Sequence, residues 1–100
     1  MIVRMFSSAV DPDDVGRAKQ LFSDAVRPTF AEFAGCTGIE MYVGLKEHSA
    51  DLVDIATVSR WDSTNAMERA SSSPQYERAL ADIMTLFQQS PIIRHFETVD

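Results

Sequence analysis

A single cysteine, Cys36, stands among the 100 residues, so no intrachain disulfide can form. One cysteine and two distant histidines, His48 and His95, also give no zinc-ligand spacing. Four glycines form no phosphate-cradling loop, and no nucleophile-elbow motif occurs. Basic residues are few, 9 against 15 acidic, and the net charge of −6 argues against nucleic acid or an anionic membrane as partner. No apolar run approaches the ~20 residues of a membrane span. The start, Met1 to Phe6, is too short for a secretory signal and lacks a small-residue cleavage site. These absences predict a protein of a reducing, cytoplasmic setting with no nucleic-acid or membrane partner, and they imply no cofactor.

What is present is enough apolar material for one compact core. Hydrophobic residues make up 45% of the chain, and no linker, repeat or low-complexity tract divides it, so residues 1–100 read as a single domain. Residues 2–10 read as a strand. Asp11 can cap a helix that has Pro12 at its first position and Asp13 and Asp14 at the positive end of its dipole. The helical series Val15, Ala18, Phe22, Ala25, Val26, Thr29 and Phe33 follows, with a kink or a second short helix expected at Pro28 and a stop at Gly35.

Residues 37–45 alternate, with Ile39, Met41, Val43 and Leu45 on one side and Glu40 and Tyr42 on the other. Lys46 to Ala50 reads as a polar connection and 51–61 as the second strand of a hairpin. Beyond Trp61, the residues Asp62, Ser63, Thr64 and Asn65 can all cap a short helix. Ser73 and Pro74 supply a fresh cap and first position after the serine run, so the second helical region is expected in two pieces. Tyr76, Leu80, Ile83 and Phe87 make a helical stripe, Pro91 ends it, and 92–99 reads as the last strand.

The order is βαββαβ, and right-handed crossovers interlock two such units into a ferredoxin-like α+β fold with helices on one face of a four-stranded antiparallel sheet. The other face should then be polar in a monomer. Instead Val3 and Met5 oppose Ile2 and Phe6, Leu52, Ala56 and Val58 oppose Val53 and Ile55, and Ile92 and Phe96 oppose Ile93 and Val99. A second copy of the sheet is the simplest cover, so a homodimer is expected.

Several residues have the chemistry for a site, each beside an ordinary structural role. His95, among apolar strand neighbours, suits a general base, or else a packed and hydrogen-bonded histidine. Arg60, Arg69 and Arg94 could hold a phenolate or a developing oxyanion, or simply serve the surface. Trp61 could stack on an aromatic ligand, and Tyr42 and Tyr76 could donate phenolic protons, or all three could be packing anchors. His48 reads as a solvated loop residue. Cys36 follows a helix end, where nothing lowers its pKa, and reads as an inert thiol. The Asp11, Asp13, Asp14 run lacks the glycine and distal glutamate of a calcium loop.

The segment Gly35-Cys36-Thr37-Gly38-Ile39, then Trp61-Asp62-Ser63, Ala66 and Ser73-Pro74-Gln75-Tyr76, resembles the antibiotic biosynthesis monooxygenase family, whose strand–helix order matches nearly all of the chain. The resemblance implies a dimeric α+β barrel with a pocket in each subunit between sheet and helices. It also implies cofactor-free oxygenation of phenolic polyketides or quinols, or haem degradation. Many quinol-oxidising members carry a histidine where this chain has Ala70 and another where it has Gln75. The haem-degrading branch has a tryptophan at the Ala70 position and a histidine at that of Leu80, so haem degradation is not expected.

Two readings follow. One is a cofactor-independent monooxygenase for a small phenol, quinol or anthrone, with His95 and Arg60 catalytic and Trp61, Tyr76, Tyr42 and Arg69 binding substrate. The other is a dimeric small-ligand-binding or stress and accessory protein of the same fold.

Overall fold

The computed structural model describes residues 1–48 and 51–99, with the side chains of 46–48 left aside. Four strands, β1 (Ile2–Val10), β2 (Cys36–His48), β3 (Leu52–Trp61) and β4 (Ile92–Glu97), form one sheet in the order β2-β3-β1-β4, every neighbouring pair antiparallel. That is the ferredoxin-like α+β arrangement expected from the element order.

Between β1 and β2 runs one continuous helical path. Asp11 accepts from the Asp13 amide at 2.9 Å and starts a 3-10 turn at Pro12–Asp14, followed by α1 (Val15–Leu21), a π segment (Phe22–Val26) and α2 (Arg27–Phe30). The interruption expected at Pro28 therefore takes a different form. The Arg27 amide reaches back five residues to the Phe22 carbonyl, and the backbone stays helical from Leu21 to Ala31. A π turn widens the ladder ahead of a residue that has no N–H and would crowd the preceding turn.

Gly35, at φ 84°, stops the path as expected, and its carbonyl accepts from the Asp62 amide at 2.8 Å. A Cβ there would lie 2.5 Å from that of Ala66, so only glycine lets the two crossovers approach.

The second crossover is in two pieces. α3 (Thr64–Ser71) is capped by Ser63, and α4 (Pro74–Met84) by Ser73, whose hydroxyl accepts from the Tyr76 amide at 3.2 Å. The helical stripe ends sooner than its spacing suggests. Leu80 and Ile83 are buried on α4, but Phe87 lies past the helix end, bridges to Val10 and stacks on Phe6 at 5.7 Å. β2 also runs further than expected, through His48, and a bulge between Val43 and Glu47 takes Leu45 off the inner row into full exposure. Residues 49 and 50, and the His48 side chain, lie outside what is described.

The register assigns the faces. Ile2, Arg4, Phe6, Ile39, Met41, Ile55, Ser59, Trp61, Ile93 and His95 point toward the helices. Trp61, Phe30, Ile83, Val10 and Val26 form the driest part of the core there. Val3, Met5, Tyr42, Val58, Arg60, Ile92 and Phe96 occupy the opposite face.

Candidate functional site

Alternation along β1 puts Arg4 on the helix-facing row between two apolar residues, Ile2 and Phe6. Its Nε donates to the Tyr76 hydroxyl at 2.9 Å, with the guanidinium carbon 5.6 Å from the centre of the Tyr76 ring. Its Nη1 lies 2.6 Å from Nε2 of His95, which the β1–β4 register sets directly opposite Arg4. Behind this cluster the Trp61 indole donates to the Ser59 hydroxyl at 2.9 Å, and Ser59 reaches the Arg4 carbonyl at 3.5 Å. Arg4 is thus held at its backbone and its head group by residues of three other elements.

A cavity of about 290 Å³ opens beside the cluster, between β1, β4 and α3. Ile2 and Met67 give it apolar wall, and Arg4, His95 and Glu68 give it charge and polarity. It is smaller than three other cavities, of about 420, 400 and 380 Å³, but those bring fewer ionisable groups to a point.

Of the sequence-predicted residues, the structure brings His95 and Tyr76 together through Arg4, and Arg60 and Tyr42 together through Glu40 on the other face. Arg60 lies on the opposite face, 3.6 Å from Glu40. Tyr42, 46% exposed, is on that face too; its hydroxyl donates to Glu40 at 3.2 Å, and it lines the 420 Å³ cavity with Ser7, Ala56 and Ile92. Trp61 is 0% exposed and packs within the aromatic group of Phe30, Phe33 and Tyr76, whose ring centres lie 5.1 to 6.3 Å apart. Arg69 sits over the outer, helical cavity.

Arg4 was not singled out by the sequence reading, though its place in the period-two row with Ile2 and Phe6 carries the signal. Cys36 is half-buried; loss of hydration pushes its thiol pKa up, partly offset by a hydrogen bond from the Gly38 backbone. Among the described residues no helix is long and apolar enough to cross a membrane, and no three His, Cys, Asp or Glu side chains are placed to hold a metal ion.

The family model of antibiotic biosynthesis monooxygenases matches residues 1–82. The chain belongs to that family. No curated protein matches the sequence. Among solved structures, an antibiotic biosynthesis monooxygenase superposes with a TM-score of 0.76 at 13% identity, over 100% of both chains. Rv0793 of Mycobacterium tuberculosis gives 0.72 at 18%, over 99% of this chain and 95% of that one. SnoaB of Streptomyces nogalater, a cofactor-independent oxygenase, gives 0.72 at 15%, over 99% and 94%. At such identities the superpositions establish the shared fold.

Within this family frame, the two positions where the resemblance implied histidines, Ala70 and Gln75, line the 400 Å³ cavity between α2, α3 and α4, together with Phe33, Glu32 and Arg69. This antibiotic biosynthesis monooxygenase homologue therefore has its arginine–histidine–tyrosine cluster elsewhere, on the helix-facing side of the sheet, with Tyr76 buried, Arg4 half-buried and His95 exposed at the β4 edge.

Proposed function

We propose that the chain is a cytoplasmic, homodimeric, cofactor-independent monooxygenase acting on a compact phenolic, quinol or anthrone-like substrate in the cavity between β1, β4 and α3. The observation that carries this reading is the convergence of Arg4, His95 and, behind them, Tyr76 beside an apolar-walled cavity. Membership of a family that gives its name to monooxygenases supports it, as does the shared fold with a cofactor-independent oxygenase.

In such a reaction the substrate supplies the electrons. A ring CH₂ becomes C=O, one atom of dioxygen enters the product, and the other leaves as water with the two hydrogens. The protein's part is to hold the substrate in its readily oxidised, ionised form and to exclude water from it. The exposed apolar face of the sheet, with Ile92 53% and Phe96 48% exposed, supports pairing through that face.

The test is oxygen uptake by metal-free protein with a panel of naphthoquinols and anthrones, against spontaneous oxidation in buffer. Uptake above background is expected, with His95→Gln at least about tenfold slower and Arg60→Leu, on the far face, close to wild type. A wild type that never exceeds background gives way to the second reading, a dimeric small-ligand-binding protein. That alternative is favoured by one feature: Trp61 and Tyr76 pack against Phe30 and Phe33 and do not wall the cavity beside Arg4.

A further inference from the structure

We infer that the cavity between β1, β4 and α3 is a binding site for a singly charged aromatic oxyanion, with Arg4 touching the anion and Tyr76 acting as the positioning residue. This rests on reading that cavity as the ligand site, but not on any oxygen chemistry.

The first observation is an unbalanced charge. Arg4 is half-buried, and a guanidinium stays protonated at any ordinary pH. Both of its side-chain partners, Tyr76 and His95, are neutral as hydrogen-bonded, and no described carboxylate lies within 4.0 Å of it. A guanidinium has five N–H donors, and these two bonds engage two of them. Three remain without an acceptor among the described residues. A partly desolvated cation with spare donors at a cavity wall favours an anion there.

The second observation concerns His95. Arginine can only donate, so Nε2 of His95 accepts and its proton sits on Nδ1. While that contact holds, the ring offers a donor and not a base, and the ligand's proton leaves to water.

The third concerns the walls. Glu68 lines the cavity from α3, and the register places Glu97 on the same face of β4 as His95. These carboxylates oppose a ligand carrying two or more negative charges. Ile2 and Met67 meanwhile offer apolar surface to a ring. A phenolate or enolate fits this balance, with one charge spread over an aromatic system; phosphate and dicarboxylates do not. The cavity's 290 Å³ is at the small end for ligand pockets, which typically span roughly 300–1,000 Å³, and suits one or two rings.

4-Nitrophenol tests this directly, because its ionised form alone absorbs in the visible and oxygen does not consume it. Wild-type protein is expected to bind nitrophenolate at least about tenfold more tightly than nitrophenol, drawing the dye's titration midpoint to lower pH. Millimolar inorganic phosphate should not displace it. Arg4→Met should abolish the preference, Arg4→Lys should keep part of it, and Tyr76→Phe, which retains the ring and removes the hydroxyl, should fall between. Arg78→Met, exposed on α4, should match wild type. No binding, equal affinity for the two forms, displacement by phosphate, or an unchanged preference in Arg4→Met would overturn the inference. Nitrophenolate binding without oxygen uptake sinks the monooxygenase alone; uptake without it sinks the anion site alone.

Discussion

The two faces of the sheet are built from the same four strands and are opposite in kind. The helix-covered face is closed by Trp61, Phe30, Val10 and Ile83, and its one arginine is bonded to tyrosine and histidine, with no described carboxylate within 4.0 Å. The other face leaves Tyr42, Ile92 and Phe96 about half exposed, and its arginine, Arg60, faces Glu40 across β2 and β3. Two arginines of one charge thus differ in consequence. In water an ion pair between exposed side chains contributes about 0–1 kcal/mol, whereas a half-buried cation against neutral partners is poised for a ligand.

Breaking the covered face should have the largest effect. Trp61→Ala removes a fully buried indole and the hydrogen bond it donates to the Ser59 hydroxyl; a loss of about 3–5 kcal/mol in urea melts is expected. A loss below about 1 kcal/mol would mean that this face is not the core. Next comes the joint between the crossovers: Gly35→Ala forces a Cβ against Ala66 at a positive φ and should cost about 1–3 kcal/mol. Thermal melts of that variant beside a Gly16→Ala control, where nothing crowds the new Cβ, would isolate the local strain.

On the open face, Phe96→Asp should change chain stability by only about 0.5 kcal/mol yet convert a dimer to a particle near the 11.1 kDa chain mass in light scattering. An unchanged mass would separate that face from self-association. Smallest of all, Arg60→Leu should cost less than about 1 kcal/mol, and raised salt should erase the difference.

Much of this frame was legible beforehand. The Ser73-Pro74 pair marked the break between α3 and α4 because its hydroxyl and its missing N–H are local properties, needing no tertiary context. Strand alternation likewise paired Val3 with Met5 and Ile92 with Phe96 within their strands, and the β1–β4 register then puts the two pairs on one face. Phe87 fitted the helical spacing of Leu80 and Ile83, but its pairing with Val10 is a tertiary contact that periodicity cannot express. The bulge that exposes Leu45 was hidden for the same reason.

The site was less legible than the fold. Arg60 has the charge to hold a phenolate, yet adjacent strand residues face opposite ways, so the neighbour of the core Trp61 points out. Arg4 was readable by the same rule and was overlooked because its partners, Tyr76 and His95, are 72 and 91 residues away.

That separation has a kinetic side. β2 and β3 form a local hairpin, but β1 must wait for β4, with nearly the whole chain between them. Loop-closure entropy makes this pairing among the slowest to form. β4 is exposed along its length and hydrogen-bonds to β1 alone, which leaves it among the first segments to open under native conditions. Because Arg4 and His95 face each other only across that pairing, the cavity vanishes whenever β4 frays, while the Trp61 core can stay shut. Amide exchange along Ile92–Glu97 should therefore slow when an aromatic anion binds, by the factor 1 + [L]/Kd that ligation imposes on any opening that destroys its site.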